Sequence, residues 1–259
     1  MPRRPQLHYF ACRSRGEPIR LACTLAGLEF DEWSVPEEQH NGRRQLPPPP
    51  GSGPPLQYLE GEAGRLNNKS QFPFGTCPKW VEFSEDGTTT ELHQSNAILR
   101  HIARLTSLYG SAPAEAAAVD AWLDHCEDVR KAYGDVIYGL DEPPFDDSLT
   151  DADPRVAAAY AEHAPKLAAF FQPFEARLDA AAAAAKGEAV TLVGSSYTVA
   201  DVALFDIFEV HLRLWAQALD AAAFPRVHAH RMAFSALPPV EQYLSSGRRW
   251  ARLNGNALG

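Results

Sequence analysis

The sequence predicts an α+β fold in two parts, a small α/β layer followed by an all-helical bundle. Strand and helix patterns alternate up to about residue 105, strand signals vanish from Ala112 onward, and alanine-rich helical stretches fill the remainder. At 259 residues the chain is long enough for one large domain or two small ones. The expected division is 1–108 and 113–259, with the boundary between Leu108 and Pro113.

Gln6-Leu7-His8-Tyr9-Phe10 reads as a first strand. Glu17 to Ala26 reads as a helix, because Pro18 suits a first turn whose N–H groups lack intrahelical partners and Gly27 can end it. Phe30 to Val35 alternates as a strand should, so the three elements form a β-α-β unit with parallel strands. Residues 36–64 carry Pro47-Pro48-Pro49-Pro50-Gly51-Ser52-Gly53-Pro54-Pro55 and too little apolar surface to pack, which predicts a surface insertion. Pro78 has no N–H to give a central ladder, so it marks where the strand Lys79 to Phe83 begins, with a cis peptide as one option. Glu85-Asp86-Gly87 turns the chain into the strand Thr88 to Leu92, and a helix follows from Ser95 to Leu105. Further helices are expected at Ala114 to Tyr133, Asp153 to Ala185, Thr198 to Trp215 and Pro238 to Ser245. Thr198-Val199-Ala200-Asp201 has the form of a capping box with aspartate in the acid position. His228-Ala229-His230 is expected in a polar loop.

Composition narrows the function. A charged fraction of 22% and no apolar run of spanning length argue against a membrane protein. A net charge of -9 argues against nucleic acid as the main partner, since phosphate binding needs a concentrated basic face. Met1-Pro2-Arg3-Arg4-Pro5 leads into a strand without a signal-peptide core, so a cytoplasmic location is expected. Cys12, Cys23, Cys77 and Cys126 have no C-x-x-C spacing, which favours reduced thiols over bridges. The histidines are not spaced as metal ligands, and no metal is expected.

Two motifs carry chemistry. The run Phe72-Pro73-Phe74-Gly75-Thr76-Cys77-Pro78 is a proline-bent loop whose Thr76 and Cys77 backbone groups can take up an extended peptide as an added strand. Leu92-His93-Gln94-Ser95-Asn96 leads from a strand into a helix whose N-terminus can hold a carboxylate. Either alone is an ordinary strand start or helix cap; together they suggest a small peptide-like anion.

With Leu7-His8-Tyr9-Phe10, Arg13-Ser14-Arg15-Gly16-Glu17-Pro18 and Thr198 to Asp206 in the same order, these strings make nearly the whole chain resemble a cytosolic glutathione transferase. The likeness is strongest to the sigma class and its mu, pi and alpha relatives. It implies a thioredoxin-like domain followed by a helical one, glutathione as co-substrate, a largely apolar electrophile as second substrate, and a homodimer. By resemblance, Tyr9 donates its hydroxyl to the glutathione sulfur and Arg15 supports it. Gln94 and Ser95 hold the γ-glutamyl carboxylate, the Cys77 backbone before Pro78 pairs with the cysteinyl part, and Lys69 meets the glycyl carboxylate. Asp128 reaches the γ-glutamyl ammonium of a neighbouring subunit, with Asp124 or Glu127 as substitutes. Arg65 stands where the family has a tryptophan and is expected to serve the glycyl end as a cation. Arg130, Tyr133 and Trp215 are candidates for the electrophile pocket, and the tail from Arg248 either covers that pocket or hangs free.

A donor aimed at a thiolate is useful because a free thiol, with pKa near ~8.5, is only a few per cent ionised at neutral pH. Three other functions remain open on the sequence. One is a glutathione-dependent isomerase of the prostaglandin D synthase kind. Another is a thiol transferase using Cys12, whose pKa a helix dipole and Arg13 would lower. The third is a silent, crystallin-like structural protein.

Overall fold

The computed structural model describes residues 3–35, 59–60, 68–139, 153–185, 189–255 and 258. Most of the proline-rich insertion, and Arg65 with it, lies outside the described residues.

Four strands form one sheet: β1 (Gln6–Tyr9), β2 (Asp31–Ser34), β3 (Lys79–Phe83) and β4 (Thr89–His93), in the order β2-β1-β3-β4. β1 and β2 are parallel, as a β-α-β unit requires, and β3 runs antiparallel to both β1 and β4. Leu7 faces Trp80 across the ladder and both are fully buried, so this pair anchors one face of the sheet. Between β1 and β2 runs α1 (Glu17–Ala26), with Pro18 in its first turn and Gly27 in the left-handed conformation at its end. α2 (Ser95–Leu105) buries Ile98, Leu99, Ile102 and Ala103, a helical stripe that packs on α1 and the sheet.

The rest is helical: α3 (Pro113–Gly139), α4 (Pro154–Ala184), α5 (Val199–Leu214), α6 (Pro225–Ser235) and α7 (Pro238–Ser245). α3 runs six residues past the expected Tyr133, because Val136, Ile137 and Tyr138 continue its packing stripe. α5 begins with the capping box read from the sequence: the Thr198 hydroxyl accepts from Ala200 N, and Asp201 Oδ2 accepts from Thr198 N at 2.8 Å. α6 corrects an expectation. His228 and His230 lie on this helix and not in a polar loop. Pro225 opens it, and Val227, His230 and Phe234 form its buried stripe, so His230 occupies a core position as the partner of Asp201 Oδ1 at 3.0 Å.

A buried charge network joins the two parts. Glu17 and Arg20, at 0% and 1% exposure, sit side by side on α1. Arg20 pairs with Glu32 of β2, while Glu17 accepts from Tyr243 Oη at 3.0 Å and from Arg249 Nε at 2.8 Å. Trp250 Nε1 donates to Glu32 at 2.9 Å. Ions this deep are tolerated only when each is paired and hydrogen-bonded. The segment after α7 is thereby drawn onto α1 and β2. It continues along the loop after β1, where Arg13 N and Ser14 N donate to the carbonyls of Arg252 and Leu253, both at 2.9 Å. The tail is docked.

Candidate functional site

The loop that follows β1 positions Tyr9. Its phenol is 4% exposed, and Oη accepts a hydrogen bond from the backbone N–H of Arg15 at 3.1 Å. Burial, then the neighbouring Cys12 and Cys77 thiols, push its pKa well above 10. The phenol therefore stays protonated at neutral pH; besides the Arg15 N–H it shares a hydrogen bond with the Ser14 side chain. The Ser14–Gly16 turn fits against the ring only because residue 16 has no side chain: a Cβ there would stand 2.6 Å from Tyr9 Cδ1. Gly16 is thus a part of the site that the motifs of the sequence do not single out. Its mid-turn position beside an aromatic strand residue was the available signal.

Arg15 does not point at the Tyr9 hydroxyl with its guanidinium. Both outer nitrogens clasp Glu127 of α3, Nη1 to Oε2 at 2.8 Å and Nη2 to Oε1 at 2.7 Å. This bidentate pair fixes the Arg15 main chain, and so the N–H that Tyr9 accepts. Of the three acids considered on α3, Glu127 is thus committed to Arg15 and Asp124 to Arg100 at 2.6 Å. Asp128 is exposed.

The second cluster lies at the β3 and α2 ends. Pro78 is buried and its peptide bond with the half-buried Cys77 is cis. Gln94 adopts φ 72° and ψ 118°, a positive φ that side chains disfavour and that ligand clamps often hold. Gln94 is the cap residue of α2, Ser95 its first residue, and among the described residues no side chain caps the end. Among the described residues the first-turn N–H groups have no side-chain partner beside the Ser95 hydroxyl. Arg15, Glu127, Ser95 and Asn96 line one narrow crevice, so the tyrosine loop and the α2 terminus adjoin. Lys69 is exposed on the turn before Phe72. Arg65 lies outside the described residues.

Next to Arg15 opens a cleft of about 460 Å³. Arg130, Tyr133 and Tyr138 of α3 form one wall, Val210 of α5 adds to it, and Asn254 of the docked tail closes it. Asn254 is 2% exposed and donates Nδ2 to Tyr133 Oη at 2.8 Å. Trp215, a third pocket candidate, is absent from this wall. It is buried against His163 at 4.9 Å between ring centres and donates Nε1 to the Tyr160 carbonyl, a packing role.

Cys12 also departs from expectation. It is 2% exposed, and burial drives its thiol up to about 12 despite nearby Arg20 and Arg252. Arg13, expected to lower it, turns its Nε to the Trp250 carbonyl at 2.6 Å. Such a thiol is not a nucleophile at neutral pH.

Residues 127–247 match the family model for the glutathione S-transferase C-terminal domain. The chain is 33% identical over 189 residues to glutathione S-transferase P of Bos taurus, spanning 73% of this chain and 78% of that protein. It is 29% identical over 243 residues to glutathione S-transferase P 1 of Xenopus laevis, spanning 94% and 92% respectively. A solved structure described as "Structure of NaGST-2" superposes with a TM-score of 0.64 at 24% identity, covering 94% of this chain and 96% of that one, and speaks for the fold.

Proposed function

This chain belongs to the glutathione S-transferase family, and on that premise we propose that its Tyr9 ionises the thiol of bound glutathione for conjugation. Glutathione is the co-substrate, and the chemistry is transfer of its sulfur to an electrophilic carbon. The observation that carries the proposal is the Tyr9 hydroxyl: a buried phenol, neutral at neutral pH, held by the Arg15 N–H and by a hydrogen bond with the Ser14 side chain.

The thiol releases its proton to solvent, and the phenol O–H donates to the resulting anion. If this lowers the thiol pKa by ~2 units, the anion gains roughly 2.7 kcal/mol relative to the thiol. Most of the bound glutathione is then thiolate at neutral pH. Its sulfur forms a C–S bond to the electrophile. Either a leaving group departs with the bonding pair or, in an addition, the adjacent carbanion takes a proton. Orientation of the two reactants side by side supplies the remainder of the acceleration.

For the rest of the tripeptide, the open α2 terminus with Gln94 and Ser95 receives the γ-glutamyl carboxylate. Cys77, set by Pro78, offers its backbone to the cysteinyl unit, and Lys69 with Arg65 serves the glycyl end. Asp128 is the acid left for the γ-glutamyl ammonium of a second copy, since Asp124 and Glu127 have partners within the chain. This assignment makes the working unit a homodimer. We place the boundary between the two parts at 108–113 and the protein in the cytoplasm, where its thiols stay reduced. A Cys12-based transferase loses its support with a buried, protonated thiol.

Titration calorimetry with glutathione, and the ultraviolet absorbance of its thiolate as a function of pH, test the proposal in wild type and Tyr9→Phe. The expected result is similar affinity in both, with the bound thiol of the variant titrating as it does in solution. No heat of binding, or an unchanged thiol titration in Tyr9→Phe, would overturn it.

A further inference from the structure

Ser14 holds a backbone conformation that its own residue type disfavours. Its φ is 31°, in the left-handed region that glycine enters freely, and among the described residues Gln94 is the only other non-glycine with a positive φ. Strain of this kind persists only where the surroundings impose it.

The docked tail imposes it here. Ser14 N donates to the Leu253 carbonyl and Arg13 N to the Arg252 carbonyl, both at 2.9 Å, so the tail runs along the turn as a backbone splint. Leu253 is itself buried, which keeps water from competing for these bonds. With its main chain fixed in this way, Ser14 reaches Tyr9, and the serine hydroxyl and the phenol share a hydrogen bond. Burial raises the Tyr9 pKa most, and the Ser14 bond pulls the other way, as a donor to the phenol oxygen does.

A phenol oxygen has one hydrogen to give and two lone pairs to fill. Arg15 N–H occupies one lone pair at 3.1 Å. A serine hydroxyl rotates to suit its partner, so when the phenol hydrogen turns to an anion, Ser14 can turn its own hydrogen to the second lone pair. Both donors then come from consecutive residues of one turn.

We propose that Ser14 is a positioning residue for conjugation: its hydroxyl donates to Tyr9 Oη, completing a chain from Ser14 O–H through Tyr9 O–H to the glutathione sulfur. Hydrogen bonds in such a chain polarise one another, so a donor behind the phenol makes the phenol a stronger donor to the thiolate. This inference rests on the reading of Tyr9 as the residue that ionises bound glutathione.

The test reads the thiolate absorbance of bound glutathione against pH in wild type, Ser14→Ala and Ser14→Gly. Both variants lack the hydroxyl, but alanine stays disfavoured at a φ of 31° and glycine does not. Each should raise the bound thiol pKa by the same ~0.5 unit, about threefold in its ionisation constant. kcat/KM should therefore fall about two- to threefold at pH ~6 and stay within roughly a fifth of wild type above pH ~8. Ser14→Gly should melt close to wild type, because relief of the backbone offsets the lost hydrogen bond. In a Tyr9→Phe background Ser14→Gly should add no further shift, since the serine acts through the phenol. An unchanged titration in both variants, a shift in only one of them, or an equal shift in the Tyr9→Phe background would overturn the inference. A wild-type thiol that titrates as free glutathione does would instead sink the reading of Tyr9 beneath it.

Discussion

Two buried polar clusters, one around Asp201 and one around Tyr9, are built to opposite ends. Around Asp201 every lone-pair direction is used: Oδ1 accepts from Leu192 N and His230 Nε2, Oδ2 from Thr198 N and Thr198 Oγ1, all between 2.8 and 3.0 Å. The donors come from the loop before α5, from α5's own cap and from α6, so one carboxylate fixes three pieces of chain. Around Tyr9 the arrangement is left incomplete. The buried phenol accepts from Arg15 N, and Arg15 itself lines both the crevice and the cleft; among the described residues no side chain caps the α2 terminus, where Ser95 and Asn96 line the crevice. A closed cluster yields stability and nothing to bind. An open one sacrifices hydrogen bonds in the empty state and recovers them with a ligand.

The largest expected effect breaks the closed cluster. Asp201→Ala strands donors at Leu192, Thr198 and His230 in a site with no water access, and should lower unfolding free energy by about 3–5 kcal/mol in urea titrations. Whatever fraction remains folded should bind glutathione normally. Tyr9→Phe does the reverse: stability should stay near wild type, while kcat/KM for conjugation at neutral pH falls about 25-fold, as the thiolate fraction drops from roughly three quarters to about 3% when the thiol pKa returns from ~6.5 to ~8.5. If Asp201→Ala removed glutathione affinity without destabilising the fold, the distinction between the two clusters would fail.

Acid separates stability from chemistry more finely. Burial lowers the pKa of His211 in α5 and of His8 in β1 to about 3. Both are neutral when folded but take up protons once unfolded below pH ~6.5, so the stability they support is complete above that pH and is lost as pH falls towards about 3. At pH 5 the loss should be about 2 kcal/mol per histidine, and His211→Gln should flatten its share of the slope in denaturation midpoints. The smallest effect is expected at Cys12. Cys12→Ser should leave conjugation within about twofold, and alkylating reagents at neutral pH should spare Cys12 in the folded protein.

The closed cluster was legible in the sequence and the open one only in outline. Thr198 and Asp201 are three residues apart, and a capping box follows from that spacing alone. His230, its third member, was missed because a histidine between alanine and arginine reads as polar surface, and only the tertiary partner makes it a core residue. For the site, Tyr9, Arg15, Gln94 and Ser95 stood out through the strings they sit in, and the sheet and first two helices through local periodicity. The Arg15–Glu127 clasp joins positions 112 apart, a distance over which no local pattern carries information. The Cys12 alternative stayed open in the sequence for a related reason. Its place between strand and helix suggests an exposed, activated thiol, whereas the tail that buries this loop is encoded at the far end of the chain.

That return of the tail has a bearing on how the protein comes into being. Arg13 meets the Trp250 carbonyl across 237 positions of sequence. During vectorial synthesis the ribosome releases the tyrosine loop early, and nothing is yet available to seat against it. The nascent enzyme must therefore wait, with its reactive corner half assembled, until Trp250 has been made.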